Sequence, residues 1–562
     1  MNLQFGKPVQ IETASGIRYV ERATPTPDFW KRWRFDKSMM SQAGISVMKI
    51  NGHFVVQRMT ARDRFSRLQP VVHEPYMLKT KRGLLPYQPG IVSGLCASLM
   101  MNGIAIDGSE AGCGKTYTSI AVCREFGLYP GIVCTKAGIP SWKKVCAYMG
   151  VKPFFIMNWE GTITRKRKRR DGKYYTTSKF PYCKGTFDEW TGQISYEWTL
   201  PKRAGYVLIF DEVHKGNGNG SEQQKVLLAA KDYPLIALSA TIADKVESLK
   251  PILTLCNLFP QENFEDFLRD NGCYLDQYNK WTSLSPEQDM LKMGRVLFPA
   301  FGARIRKKDI PGFPDIQNIA DVYSISKVQQ HNKAYEDLLF ELKKQDSIFE
   351  QAKAARGREE DKEKLKRLQV MMATAQANKL TARLRYRQFT ELLKVDLFAE
   401  LVREHLDNNM SVVLFLNFTE TIEALSRKLK TKCIIWGAQQ GREGSAQRQR
   451  NIEDFQADRQ RVMLANIQAG GISISLHDLN GQHPRTALIS PTDSAIVLTQ
   501  AMGRIHRAGA KSKAINKLVY AAGTVEEEVC RNVSGKLDCI AALNDGDLAE
   551  KDIFKLMKKG AA

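Results

Sequence analysis

Ser109-Glu110-Ala111-Gly112-Cys113-Gly114-Lys115-Thr116 is a stretch whose residue types suit phosphate chemistry. Gly112 and Gly114 let the backbone bend with its N–H groups pointing inward, Lys115 can reach terminal phosphates, and Thr116 offers a hydroxyl to Mg2+. The usual pattern has a glycine where Ser109 stands, so the motif is loose at that end. Its surroundings fit nonetheless. Ile104, Ala105 and Ile106 read as the end of a buried strand, and the residues from Thr116 onward are apolar at helical spacing, so a phosphate would meet a helix N-terminus. The bland alternative, a glycine-rich turn that binds nothing, explains neither flank. Cys113 reads as a small filler.

A second stretch, GYVLIFDEVHKGNG, is an apolar run ending in two acids. Asp211 can hold Mg2+, and Glu212 beside it can orient and deprotonate an attacking water. His214 completes the box. Alone it could be a strand followed by a charged turn; paired with the glycine-rich loop it points to phosphoryl chemistry. In the C-terminal half, TQAMGRIHRAG carries Gln500, Arg504 and Arg507, the two arginines three apart, so a helical backbone would put both on one face. The competing reading is a basic face on a solvated helix.

These residues need elements to position them. A chain of 562 residues suggests three to five structural units at roughly 100 to 200 residues each. Residues 1–80 mix short β-like runs with the aromatic, basic stretch PDFWKRWRFDKSM and read as a small N-terminal accessory domain. From 81 to 325, apolar runs alternate with helical segments, the pattern of a doubly wound parallel sheet. Residues 326–393 are long, charged helical sequence, read as a helical protrusion and linker. A second α/β pattern fills 394–562, with SVVLFLNF, KCIIWG, RVMLANI and TALISP as candidate strands and an amphipathic C-terminal helix as a brace. The expected fold class is therefore α/β, with two such lobes.

Eighty-three basic against 60 acidic residues give a net charge of +23, a surface that attracts polyanions, nucleic acid first among them. No apolar run approaches the length of a membrane span, and the N-terminus lacks a signal peptide's apolar core. The expectation is a soluble, intracellular protein of the cytoplasm, the host's if the source is a phage or virus, with the nucleus left open, and without a membrane partner. Eleven scattered cysteines with no C-x-x-C pair indicate neither a disulfide framework nor a zinc site.

Taken in order, these motifs resemble those of superfamily 2 helicases and translocases, and from about Gly83 to Ala522 the chain is similar to the Swi/Snf-type ATPases, which act on double-stranded DNA. The resemblance implies two RecA-like lobes, ATP and Mg2+ as cofactors, and DNA as partner, duplex or branched; the motifs themselves permit RNA. It also implies roles. Gln88 would recognise adenine, and the segment containing Lys136 and Trp142 would touch the nucleic-acid strand, with simple packing as the rival for Trp142. Ser239, Ala240 and Thr241 stand where hydrolysis is linked to movement, as do Gly470 and Gly471 in the second lobe. Gln500, Arg504 and Arg507 match the second lobe's Q-x-x-G-R-x-x-R motif, whose arginines stabilise charge on the phosphoryl group. Three departures, the SAT triplet, Ser473 and Ala510, fit a divergent member of viral or phage type and leave translocation and strand separation both open. A catalytically silent scaffold on the same fold is the rival outside enzymology.

One insertion, about 161–200, breaks the first lobe. It contains six consecutive basic residues, Arg165, Lys166, Arg167, Lys168, Arg169 and Arg170, followed by Asp171-Gly172, which suits a tight hairpin turn. The expectation is a projecting hairpin that contacts the nucleic-acid backbone or separates strands; a nuclear localisation signal and a solvated loop are its rivals.

Overall fold

The computed structural model describes residues 9–13, 16–26, 45–50, 53–59, 74–168, 174–178, 180–201, 205–258, 264–270, 273–275, 281–283, 286–324, 327–356, 361–437, 439, 441–470 and 474–543. The chain divides into two compact units, one built chiefly of residues before Lys307 and the other chiefly of Lys307–Leu537. The aromatic, basic stretch at 27–39, the Arg169, Arg170 and Asp171-Gly172 positions, and Gly471 lie outside the described residues.

The first unit is organised on a six-stranded, all-parallel sheet in the order Gly302–Ala303, Ile104–Asp107, Leu235–Leu238, Tyr206–Asp211, Tyr129–Cys134, Phe155–Asn158. Its strands are continuous apolar runs because both faces are covered. Alternate residues serve the two sides: Ile104, Ile106, Leu208 and Phe210 enter one core, whereas Ala105, Val207 and Ile209 enter the other. A separate antiparallel sheet, in the order Val9–Thr13, Gly16–Ala23, His53–Met59, Ile45–Ile50, is formed from the N-terminal residues.

The second unit repeats the plan. Its parallel sheet runs Ile316–Tyr323, Ala514–Ala521, Arg485–Ile489, Ser411–Leu416, Val462–Asn466, Ile434–Ile435, so the fold is α/β with two RecA-like parallel sheets. All four strands expected there from the sequence are present. The first lobe, however, ends earlier than residue 325, because Ile316–Tyr323 pairs along its whole length with Ala514–Ala521 of the second sheet. Two long helices, Val328–Arg356 and Lys362–Leu393, pack against each other before the chain enters that sheet. Where the second helix ends, Glu391 accepts from the backbone N–H groups of Asn417 and Phe418. Next to it Lys394, wholly buried, pairs with Glu526 at the start of the helix Val525–Leu543 at 2.7 Å. Among the described residues no helix is long and apolar enough to cross a membrane.

Candidate active site

Three adjacent strands of the first sheet, Ile104–Asp107, Leu235–Leu238 and Tyr206–Asp211, bring three of the motifs to one edge. In a parallel sheet these are the carboxyl ends, where α/β folds bind ligands. The glycine-rich loop leaves the first strand, Ser239-Ala240-Thr241 the second, and Asp211-Glu212 the third.

Gly112 and Gly114 both adopt positive φ, 93° and 83°, as the inward-facing loop requires. Gly114 caps the helix Lys115–Phe126, so the loop opens on a helix N-terminus. A Cβ on Gly114 would lie 2.4 Å from Gln88 Nε2, so that amide would have to move to admit one. Lys115 Nζ donates to the carbonyls of Ser109 and Glu110, at 2.7 and 3.1 Å, which holds the ammonium within the curve of the loop. Ser109, the residue in the glycine's place, is fixed by its hydroxyl, which accepts from Ile305 N at 3.2 Å, while Glu110 N donates to Ile305 O. The departure from the usual motif thus provides an anchor that a glycine lacks. Gln88 is only 2 % exposed, its Oε1 accepting from Leu85 N at 2.8 Å and its amide nitrogen aimed at the loop.

Asp107 supports the loop and is passed over by motif reading. Fully buried, it accepts from Ser109 N through Oδ1 and from the Thr118 hydroxyl through Oδ2, tying the start of the loop to the helix that follows it. An acid closing an apolar strand immediately before the loop was the available signal.

Across the neighbouring strand, Asp211 Oδ2 accepts the indole N–H of Trp142 at 2.9 Å, and Asp211 O accepts that of Trp159 at 2.9 Å. Trp142 is 1 % exposed. It is therefore no nucleic-acid contact, since its ring is packed in the core and its one donor is engaged. Lys136, in the same segment, is exposed. Burial, and next the adjacent Glu212 charge, push the Asp211 carboxyl up to about 6, against the Trp142 hydrogen bond that lowers it. Glu212 sits in the left-handed region at φ 53°, a strained position for a residue with a Cβ.

Behind Glu212 lies a relay of contacts. His214 Nδ1 is 3.5 Å from Glu212 Oε2 and 3.0 Å from Ser239 Oγ, and that hydroxyl accepts from Thr241 N at 3.1 Å. Burial depresses the His214 pKa, favouring the neutral imidazole.

In the second unit Gln500 lies in the helix Ala495–Met502, but Gly503 ends that helix. Arg504 and Arg507 therefore follow it in turn and irregular chain and share no helix face. Arg504 is 4 % exposed and donates to Ile474 O at 3.3 Å; Arg507 is half-buried, its Nε donating to Gly503 O at 3.4 Å. Gly470 closes the short helix Ile467–Gly470.

The insertion holds two antiparallel hairpins. Arg165–Lys168 pairs with Tyr174–Thr177, and Cys183–Phe187 with Ile194–Trp198. Lys166 Nζ lies 3.9 Å from the Tyr174 ring centre and 3.7 Å from that of Phe187, so it clamps one hairpin to the other. Strand alternation puts Arg165 and Arg167 on the opposite face, where both are exposed.

Residues 393–509 match the family described as Helicase conserved C-terminal domain. A protein of Acanthamoeba polyphaga mimivirus, provisionally named an ATP-dependent RNA helicase, is 32 % identical over 489 residues, covering 84 % of this chain and 85 % of its own length. The chromatin remodeling factor mit1 of Schizosaccharomyces pombe is 25 % identical over 167 residues, 29 % of this chain and 12 % of that protein. Among solved structures, the Sulfolobus solfataricus SWI2/SNF2 ATPase core in complex with dsDNA aligns over 86 % of this chain and 98 % of its own, at 16 % identity and a TM-score of 0.29.

Proposed function

The chain belongs to the ATP-dependent helicase family of its mimivirus relative and is an ATP-hydrolysing enzyme, and from that premise we propose that it is a nucleic-acid-stimulated motor of Swi/Snf type that translocates on double-stranded DNA. The carrying observation is the convergence of the phosphate loop, the Asp211-Glu212 pair and the Ser239-Ala240-Thr241 turn on the carboxyl edge of three neighbouring strands.

The residues present fit Mg2+ and ATP. Lys115 is held in the loop, Gly114 takes the positive φ that the loop requires, and the Asp211 carboxylate is steered through one oxygen by Trp142. Lys115 and the loop N–H groups would bind the phosphates, and Thr116 and Asp211 would hold the cation. Mg2+, when bound, neutralises charge on the β- and γ-phosphate oxygens. Glu212 is the base that orients water and accepts its proton, and its strained backbone fixes where the carboxylate points. Arg504, Arg507 and Gln500 are assigned to phosphoryl charge in the transition state. The His214 and Ser239 contacts give Glu212 a physical link to the Thr241 backbone, a route by which hydrolysis is coupled to the nucleic-acid grip.

Duplex DNA as substrate rests on the Swi/Snf-type motif set, and the +23 charge suits any polyanion. Lys136, Arg165 and Arg167 are the exposed basic groups assigned to the backbone. The name of the mimivirus relative favours a second reading, an RNA helicase. A triplex-displacement assay separates them: ATP-dependent release of a third strand from duplex DNA, without unwinding of a matched RNA fork, is the expected result. RNA unwinding without triplex displacement would establish the second reading instead.

A further inference from the structure

We propose that Trp190, at the tip of the second hairpin of the insertion, is a stacking platform for an unpaired or terminal nucleobase, and that the insertion recognises junctions between paired and unpaired nucleic acid. The inference rests on the motor reading for its partner and goes beyond it in naming a substrate feature and the residue that reads it.

Trp190 is 99 % exposed, more than any other large apolar side chain among the described residues. A lone exposed apolar residue needs no explanation by itself. The turn that carries this one is built to present it. Trp190 N donates to Asp188 Oδ1 at 2.9 Å, Thr191 Oγ1 to Asp188 Oδ2 at 2.9 Å, and Gly192 N to Asp188 O at 2.9 Å. Gly192 takes the positive φ, 67°, that the tight reversal requires, and Asp188 N donates back to Gln193 O.

The hairpin stands on a rigid base. Cys183 and Trp198 at its ends are buried in the core of the first unit, and Trp198 Nε1 donates to Val226 O at 2.9 Å. Tyr196 OH donates to Glu222 and accepts from Thr164 N, and Gly185 is pressed so closely on Thr164 that a Cβ there would fall 2.5 Å from its side chain. A turn backbone held this way loses little freedom when the indole it carries binds, which favours affinity.

Charge and shape select the occupant. The Lys166 clamp fastens the Trp190 hairpin to the strand that exposes Arg165 and Arg167, a surface for phosphates. Asp188 and Glu189 flank the tryptophan and repel phosphates from the tip, leaving an uncharged ring face as the group that docks there. A tip without a surrounding groove can stack only on an open base face. Bases inside a duplex present none, whereas a fork or an end does.

Equilibrium binding of parent, Trp190→Ala and Trp190→Phe to a forked DNA, the matching forked RNA and a blunt DNA duplex with capped ends tests this. Removal of the stacking ring should weaken fork binding about tenfold in Trp190→Ala, with Trp190→Phe recovering most of it and the capped duplex unchanged. A thermal melt coincident with the parent's excludes misfolding. Weakening on the DNA fork, the RNA fork or both supports the proposal and says which backbone is read. Equal fork affinities for parent and Trp190→Ala, with ATP hydrolysis still stimulated by nucleic acid, overturn it, leave the motor reading intact, and hand Trp190 to a protein partner. A parent that binds no nucleic acid overturns both.

Discussion

Trp142 donates its indole N–H to Asp211 Oδ2 at 2.9 Å, so a core tryptophan orients the carboxylate assigned to Mg2+. Replacing it with phenylalanine keeps most of the packing and removes the donor. An outer-shell partner of a metal ligand typically contributes about 10- to 100-fold to metal affinity, so Trp142→Phe should raise the Mg2+ concentration for half-maximal ATP hydrolysis by roughly that factor. Nucleic-acid affinity without nucleotide should stay at the parent value. A shift in that affinity with normal Mg2+ dependence would return Trp142 to the nucleic-acid surface.

Arg504 and Arg507 should separate by stability. Arg504 is buried and bound to Ile474 O, whereas Arg507 is half-buried. Arg504→Ala should lower both turnover and the thermal midpoint, but Arg507→Ala should lower turnover alone, by about 10³-fold for a full arginine finger. Calorimetry alongside a phosphate-release assay reads both. Normal turnover in the two variants would remove these arginines from the chemistry.

On the basic strand, Arg165 and Arg167 face away from the Lys166 clamp. A basic side chain that neutralises one phosphate contributes about 0.9 to the log-log salt slope of duplex binding, so the double change Arg165→Ser, Arg167→Ser should flatten that slope by about 1.8. Titration across a salt series measures this. An unchanged slope in a folded variant would mean that this face does not touch the backbone.

Lys394 pairs with Glu526 where both side chains are buried. Lys394→Met leaves a buried carboxylate without its cation and should destabilise the second unit by about 3–5 kcal/mol. Adding Glu526→Gln should restore part of that stability, because the amide still offers an acceptor to Ala521 N. Denaturant unfolding of the three proteins decides it; a single variant as stable as the parent would contradict a structural role for the pair.

The parallel strands were legible because Val207–Phe210 and Val412–Leu416 are apolar throughout, as strands covered on both faces must be. Ile316–Tyr323 was not assigned to its sheet, since Asn318 and Asp321 interrupt it and a half-buried edge strand carries no mark of which sheet it joins. Trp142 was readable in principle: with Val145, Cys146 and Met149 it repeats at helical spacing on one buried face. Gly503 likewise announces the helix end that separates the arginines from Gln500. Asp107 was visible as an acid closing an apolar strand, but the Ser109 anchor depends on Ile305, distant in sequence, and no local pattern reveals it. Nor does any pattern distinguish the wholly exposed Trp190 from the buried Trp198 eight positions later.

The central claim is that the first unit's loop and acidic pair hydrolyse ATP in response to nucleic acid, with Glu212 as the base. Phosphate release with and without duplex DNA, in the parent and in Glu212→Gln, tests it most directly, with Lys115→Ala as the binding-deficient control. The account predicts strong stimulation of the parent by DNA, a fall of about 10²- to 10⁴-fold in Glu212→Gln with ATP affinity retained, and loss of both binding and turnover in Lys115→Ala. Parent-level hydrolysis by Glu212→Gln, or a parent rate indifferent to nucleic acid, would contradict it.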